Sequence, residues 1–266
     1  MTKENVILAA LRQALAPLIV FALALAAWEA LVALKHIPAY VLPAPSAIAA
    51  KLVEDRALLF SSLLVTLGVT LKALALATVS GVALALLLAQ SKWLERALLP
   101  FAIALQVTPI IAIAPLLLIY LQPDNAVLVC AFLVAFFPIL SNTALGLASV
   151  DHGLQDLFDL YHASPWQKLI RLRLPAALPQ FLTGLRIGGG LALVGAIAAE
   201  LAAGAAGQGT GLAFRIVEAG FRLDITRMFA ALALISLAGM AIYGALALLS
   251  YYLLRGWHES ARERGE

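Results

Sequence analysis

Long runs of apolar residues, separated by short polar segments, dominate the chain. Six runs are long enough to cross a bilayer core of about 30 Å, which takes about 20 apolar residues in a helix. They are residues 14–34, 63–89, 97–121, 126–150, 181–203 and 228–254. Leu and Ala prevail in the runs and period-two alternation is absent, so membrane strands of about 10 residues are not predicted. The pattern predicts an all-α integral membrane protein with six transmembrane helices.

The composition excludes an ordinary soluble domain. The 266 residues are 63% hydrophobic and 12% charged, whereas soluble domains carry about 25% charged residues. The sequence pI of about 9.1 comes from a net charge of only +3. Membrane proteins acquire such an excess from Lys and Arg in their cytoplasmic loops, so no nucleic-acid partner is predicted. The single cysteine and the four scattered histidines predict neither an internal disulfide nor a metal site.

The distribution of Lys and Arg outside the runs predicts the orientation. With the N-terminus in the cytoplasm, ten of these residues lie inside and six outside. The turn 122–125 has no positive charge, as expected of an outer loop. Both termini are therefore predicted to be cytoplasmic. The chain divides into an N-terminal segment 1–13, a membrane domain 14–254 and a tail 255–266.

The segment 151–180 differs from the other connections. It is too long for a simple turn and too polar to lie in lipid. Short helices are predicted around residues 156–161 and 165–174, with Ser164 as N-cap, Pro165 at the first helical position and a break at 162–164. Trp166, Leu169, Ile170 and Leu172 are expected to pack on the membrane domain. Lys168, Arg171 and Arg173 are expected to face water or lipid headgroups. Without further motifs, a positively charged membrane anchor explains the segment as well as a functional loop does.

The same segment contains Asp156-Leu157-Phe158, then His162, Leu172 and Leu174-Pro175. In this register it resembles the cytoplasmic loop of the permease subunits of bacterial ATP-binding-cassette (ABC) importers. The pattern of that loop is Glu-Ala-Ala, three residues, Gly, nine residues, Ile, any residue, Leu-Pro. Further pieces are similar to the nitrate, sulfonate and taurine branch of this family: they are 42–46, 114–116, 136–143, 163–167, 184–186 and 199–200.

The resemblance implies a type I importer permease of the bacterial inner membrane with a cytoplasmic coupling helix. It implies a non-catalytic subunit that binds no cofactor, with ATP and Mg²⁺ held by two partner ATPase subunits. A second permease copy and a solute-binding protein are the other implied partners. The implied ATPase-coupling residues are Asp156, Asp159, His162, Ala163, Ser164, Pro165, Leu174 and Pro175.

Uncharged polar residues and one carboxylate inside the runs are candidates for a translocation path, because polar groups at membrane depth should face protein or water. They are Gln106, Thr108, Asn142, Thr143 and Glu200. Hydrogen bonding to a helix carbonyl is the commoner role of such threonines, and helix–helix contact is as good an explanation of Asn142 and Glu200. The stretch 106–110 is similar to permeases for pyrimidine thiamine precursors or riboflavin, so the solute is either of that type or of the sulfonate, taurine and nitrate type. The alternative is an ion-coupled secondary transporter.

Overall fold

The computed structural model of the chain describes residues 3–204 and 210–255, and every regular element in these two ranges is a helix. Most of the expected tail 255–266 lies outside the described residues. The helices are α1 Lys3–Leu34, α2 Pro45–Glu54, α3 Arg56–Leu88, α4 Lys92–Val107, α5 Ile110–Tyr120, α6 Pro123–Ala148, α7 His152–Leu160, α8 Pro165–Lys168, α9 Leu174–Ala203, α10 Leu212–Phe221 and α11 Ile225–Leu254. A five-residue π-helical turn, Leu169–Arg173, joins α8 to α9.

Five of the six apolar runs form one continuous helix each. The stretches long and apolar enough to span a membrane are Leu15–Leu34, Arg56–Leu88, Pro123–Ala148, Pro165–Ala203 and Ile225–Leu254. Most begin before the predicted apolar run, because charged or polar first turns such as that at Arg56 continue the same helix. The predicted all-α class is confirmed for the described residues.

Pro109 and Pro115 predict an interruption in the third run, 97–121, and the structure divides this run into two helices. Its helix α4 ends at Val107, and α5 begins at Ile110 after Pro109, whose φ is −65° and ψ 116°. Proline has no N–H to continue the ladder of α4, and its ring disfavours the helical conformation at Thr108. The 16-residue and 11-residue pieces are each too short to span a bilayer alone.

The chain forms two compact units. The first comprises residues 1–60 and 215–233, and the second comprises 61–214 and 234–266. In the first unit, the Glu29 carboxylate of α1 accepts hydrogen bonds from the N–H and the hydroxyl of Ser46 in the first turn of α2, at 3.0 and 2.7 Å. A helix N-terminus has unpaired N–H groups and a positive dipole end, so this carboxylate stabilises the start of α2.

A cluster of charges lies at the other end of α2. Arg227 Nε donates to Asp55 Oδ2 at 2.6 Å, and Lys51 Nζ lies 3.5 Å from Asp55 and 3.7 Å from Asp224. Burial by itself raises the pKa of Asp55, but the hydrogen bond and charge of Arg227 outweigh it and hold that pKa below its ordinary value. Burial likewise opposes the charged form of Lys51, yet Glu54, Asp224 and Asp55 raise its pKa. The cluster holds the α2–α3 and α10–α11 junctions together.

In the second unit, α6 and α9 pack so closely that backbone meets backbone. A Cβ on Gly184 of α9 would lie 2.7 Å from the Pro138 carbonyl oxygen, and one on Gly195 2.9 Å from the Ala131 Cα. Only glycine allows this separation, which maximises dispersion contact where lipid offers no hydrophobic driving force. The sequence Gly184-x-x-x-Gly188 therefore serves helix packing.

The buried clusters of this unit show which ends of its helices pack together. At one end, Ala85 and Leu88 of α3 pack with Leu147 of α6 and Ala177 of α9, and Leu94 of α4 lies against them. Toward the other end, Ala114 of α5 packs with residues at the start of α6 and near the end of α9. The last residue of α11, Leu254, packs with Leu182 and Leu185 in the first half of α9.

Candidate functional site

Residues 151–173, between α6 and α9, form a compact turn of two short helices that we call the knuckle. The N-cap side chain of each short helix binds the backbone of that helix. Asp151 accepts the N–H of Leu154 at the start of α7. At the start of α8, the Ser164 hydroxyl accepts the N–H of Gln167, and the Gln167 side chain accepts the N–H of Ser164. This reciprocal capping box, with Pro165 at the first helical position, confirms the predicted helix start.

The turn between α7 and α8 requires an unusual backbone conformation. His162 has φ +50°, in the left-handed region that glycine adopts without steric cost and other residues seldom adopt. This is the position at which the resembling family has glycine. The turn is fixed by the N–H of Ala163, which donates to the Phe158 carbonyl at 2.9 Å, and by an ion pair between Lys168 and Asp159. The break at 162–164 is thus confirmed, with α7 beginning four residues before the predicted helix.

A π-helical turn connects the knuckle to α9. The N–H of Leu174 donates to the Leu169 carbonyl, five residues earlier, and the next residue, Pro175, has no N–H to donate. The extra residue per turn rotates the side chains that precede it relative to those of α9. Arg173 Nη1 donates to the Ala89 carbonyl at 3.4 Å, which ties this turn to the end of α3.

Apolar side chains of the knuckle are exposed rather than packed. Leu160, Tyr161 and Trp166 are 74, 78 and 68% exposed, and Leu157 and Ile170 are exposed as well. The expected packing of Trp166 and Ile170 on the membrane domain is therefore wrong, because the π-helical turn breaks the helical period assumed for 165–174. Leu172 is buried as expected. A groove of about 270 Å³ lies among these side chains, lined by Leu157, Phe158, Tyr161, Ala163, Gln167 and Arg171.

The candidate coupling residues thus lie together in one element. Asp156, Asp159 and Ser164 are exposed, and Ala163 is half-buried in the wall of the groove. Leu174 and Pro175 begin α9, where Pro175 also lines a second open groove with Asp151 and Gln180. Sequence reasoning missed the exposed Leu160 and Tyr161, although two apolar residues next to a polar turn were a usable signal.

Among the candidate path residues, Thr108 lies at a cavity. The cavity measures about 320 Å³, and its other described lining residues are Ile110, Leu133, Val134, Phe137, Pro138 and Leu191. They come from the middle of the broken helix α4–α5, of α6 and of α9. The Thr108 hydroxyl donates to the Ala104 carbonyl at 2.8 Å, which leaves its oxygen lone pairs free to accept. The side chain of Gln106 lies outside the described residues.

The other three candidates do not line this cavity. Thr143 is buried and donates to the Ile139 carbonyl at 2.6 Å, and Asn142 Nδ2 donates to the Pro138 carbonyl at 2.8 Å. Both contacts are within α6, where side chains that bond to a preceding carbonyl are common.

Glu200 joins three helices. Only 7% of this residue is exposed, and its carboxylate accepts the hydroxyl of Thr66 in α3 at 2.9 Å and the N–H of Ala213 in α10 at 3.1 Å. The Thr66 oxygen in turn accepts the N–H of Leu212 at 2.9 Å. A Cβ on Gly211 would collide with the carboxylate. The structure thus gives Glu200 a partner, Thr66, that is 134 residues away and that no local pattern indicates.

Known proteins similar to this chain are membrane transport components. The sequence matches the family of binding-protein-dependent transport system inner membrane components over residues 77–261. It is 34% identical to the formylaminopyrimidine transport permease protein of Halalkalibacterium halodurans, over 91% of this chain and 96% of that protein. It is also 34% identical to a riboflavin transport system permease protein of Chloroflexus aurantiacus, over 88 and 86% of the two chains. A putative aliphatic sulfonates transport permease protein of Bacillus subtilis is 29% identical over 90 and 86%.

The fold also has a counterpart among solved structures. A crystal structure of an amino acid ABC transporter with histidines aligns with a TM-score of 0.63, covering 76% of this chain and 96% of that one, at 16% identity. At this identity the likeness establishes the arrangement of helices and no more.

These findings decide between the transport mechanisms that the sequence left open. The family match covers more than half of the chain, and its members depend on a binding protein, so the ion-coupled secondary transporter is set aside. The long apolar helices agree with a multi-pass protein of the inner membrane. The chain belongs to the inner membrane components of binding-protein-dependent transport systems, and is a permease of the ABC importer type.

Proposed function

We propose that this permease couples ATP hydrolysis by partner subunits to solute import through the knuckle 151–173. The observation that carries the proposal is the exposed apolar surface of Leu157, Leu160, Tyr161 and Trp166. This surface lies on a segment that separates two spans. Because the segment also carries the positive charges of Lys168, Arg171 and Arg173, it belongs outside the lipid. An exposed apolar patch with a polar rim is typical of a protein docking site. The chain itself binds no cofactor and performs no catalysis; ATP and Mg²⁺ belong to the partners.

The broken helix α4–α5 supplies the sixth membrane crossing. The end of α3 and the end of α6 lie at the same end of the second unit, with Ala177 between them. The chain must return to the opposite end of this unit before α6 begins. The segment between α3 and α6 that can make this crossing is α4–α5. Together with α1, α3, α6, α9 and α11 this gives six crossings. An even number keeps the segment 1–13 and the tail 255–266 on one side, and the positive charges of the knuckle put that side in the cytoplasm.

Two permease copies complete the translocation path, with one ATPase on each knuckle and a solute-binding protein on the outer face. Lys72 supports a second copy. It lies midway along the 33-residue α3, its side chain is exposed, and no partner for it is found in the described part of the chain. The headgroups are about 15 Å from the centre of a bilayer, farther than a lysine side chain reaches, so Lys72 faces protein or water rather than lipid.

The transported solute is a small organic molecule. The relatives at 34% identity carry names of formylaminopyrimidine and riboflavin transport, and the relative named for sulfonates is less similar, at 29%. The similarity of 106–110 to the first group favours a solute of the pyrimidine or riboflavin type over one of the sulfonate, taurine or nitrate type.

Substitution of Ala163 tests the proposed coupling. Ala163→Glu places a charge in the wall of the 270 Å³ groove, where a docked partner would desolvate it without a counter-charge. We expect normal membrane insertion, loss of uptake and loss of ATPase co-purification. Ala57→Glu, at an exposed alanine in the first turn of α3, is the matched control and should retain both activities. Normal uptake and ATPase retention in Ala163→Glu would remove the knuckle from the mechanism.

A further inference from the structure

We propose that the cavity at Thr108 is a solute-binding site in the permease itself, selective for an uncharged planar heterocycle that carries hydrogen-bond donors and acceptors. The proposal rests on the proposed import function and specifies the class of solute. The cavity lies at mid-depth, because each lining element contributes residues from its middle, and its 320 Å³ is within the range of small-molecule sites.

Charge separates the possible solutes first. None of the described lining residues is charged, and the sequence has no charged residue between Arg96 and Asp124 or between Asp124 and Asp151. The walls formed by α4, α5 and α6 therefore hold no counter-charge for a sulfonate or nitrate ion, and Arg186 of the fourth wall, α9, is half-buried and is not among the described lining residues. An anion entering this cavity would lose its hydration without gaining an ion pair, which costs several kcal/mol or more. A neutral solute does not meet this cost.

The polar groups at the cavity are mainly acceptors. The Thr108 hydroxyl hydrogen is used by the Ala104 carbonyl, so its oxygen can only accept. Pro138 has no N–H, so the carbonyl of Val134, four residues earlier on the same wall, lacks its helical donor. The amide of Asn142, one turn along α6, is already donated to the Pro138 carbonyl. Solute N–H groups fit this arrangement, whereas the oxygens of an anion would face other oxygens.

One donor and one ring complete the site. Ile110 is the first residue of α5, and the preceding Pro109 provides no side-chain cap, so the Ile110 N–H can meet a carbonyl or ring nitrogen of the solute. Phe137 belongs to the cavity wall; it is 5% exposed, and its ring makes a T-shaped contact with Phe136, with ring centroids 5.1 Å apart. The exposed part of this ring offers a planar heterocycle an aromatic contact. Together these groups match a ring with N–H donors beside an acceptor.

Direct binding to the complete permease–ATPase complex in nanodiscs tests the site. The probes are radiolabelled formylaminopyrimidine and radiolabelled ethanesulfonate. We expect saturable binding of formylaminopyrimidine and no competition by ethanesulfonate. Thr108→Val, which removes the acceptor, should weaken binding about fivefold to tenfold, and Leu191→Trp, which fills the cavity, should abolish it. The control is Thr183→Val, because Thr183 also donates to a helix carbonyl, that of Pro179 at 3.0 Å, yet does not line the cavity.

The outcomes separate this inference from the coupling proposal. Saturable ethanesulfonate binding, or formylaminopyrimidine binding that is absent or unchanged in both cavity variants, would overturn the inferred site. ATPase retention is measured on the same preparations and should be normal in every cavity variant. If it is normal while the binding result fails, the importer mechanism stands and the assigned solute class is wrong.

Discussion

The α6–α9 pair and the knuckle 151–173 are adjacent in the chain but are stabilised in opposite ways. In the pair, glycines bring two backbones into contact, and side chains such as Ile139 and Leu182 are fully buried. In the knuckle, α7 has no buried residue, and local caps and one ion pair maintain its shape. The contact between α6 and α9 is formed entirely within the single chain. The knuckle presents apolar surface that a partner has to cover, so packing marks the scaffold and exposed apolar surface marks the site of action.

Overpacking the scaffold should have the largest effect. Gly184→Leu forces a side chain against the Pro138 carbonyl, which a Cβ alone would approach to 2.7 Å, and should cost at least about 3 kcal/mol. Gly190→Leu on the same helix is the control, because no heavy atom lies within 4 Å of a Cβ there. Yield and melting temperature of the purified protein measure both. Equal stability of the two variants would mean that the close contact of α6 and α9 is not required.

Removal of Glu200 should have the next largest effect. Glu200→Ala leaves the Thr66 hydroxyl and the Ala213 N–H without their acceptor in a buried site, at a cost of about 2–4 kcal/mol. Asp156→Ala removes an exposed carboxylate of the knuckle and should change stability by less than about 0.5 kcal/mol. Thermal unfolding in detergent compares them. A destabilising Asp156→Ala, or a neutral Glu200→Ala, would reverse the assignment of scaffold and docking surface.

The charged cluster at α2 predicts that the stability of the protein depends on pH. The pKa of Asp55 is lower in the folded protein than in the unfolded chain, so its stabilisation is present above about pH 4 and is lost as the pH falls through the folded pKa. Asp55→Asn should remove about 1–2 kcal/mol at pH 7 and flatten the melting temperature between about pH 5 and 3. Glu54→Gln, at a carboxylate that is 67% exposed, should leave that acid dependence unchanged. An unchanged acid dependence in Asp55→Asn would contradict the role of the Arg227 pair.

The smallest effect is expected at the turn of the knuckle. His162→Gly relieves a left-handed residue with φ +50° and should stabilise the protein by about 0.5–1 kcal/mol while ATPase retention stays unchanged. His36→Gly, at another residue with φ +50°, should give a similar gain. Differential scanning calorimetry measures both variants. A loss of stability or of ATPase retention in His162→Gly would show that the imidazole itself makes an essential contact.

The sequence predicts those features of the fold that depend on residues close together in the chain. Apolar runs predict the spans, and Ser164-Pro165 with Gln167 predicts the capping box, because these signals act within one or two turns. The short helices α2 and α10 were missed, since each has only 10 residues and charged positions interrupt its apolar pattern.

Features that depend on distant residues could not be predicted. The partner of Glu200 is 134 residues away, and the cavity at Thr108 is formed by three separate helices. The exposure of Trp166 depends on the π-helical turn, whose single extra residue no periodicity indicates. The breaks in α4–α5 were suggested by Pro109 and Pro115, yet only Pro109 ends a helix, whereas Pro115 lies inside α5.

Photocrosslinking from two exposed aromatic positions tests the central claim, that the knuckle is the surface on which the ATPase acts, most directly. The crosslinking amino acid p-benzoylphenylalanine replaces either Trp166 on the knuckle or Tyr120 at the end of α5, which are 68 and 82% exposed. In native membranes, position 166 should capture the P-loop ATPase in high yield and position 120 should not. Capture from position 120, or no capture from position 166 while uptake persists, would contradict the account.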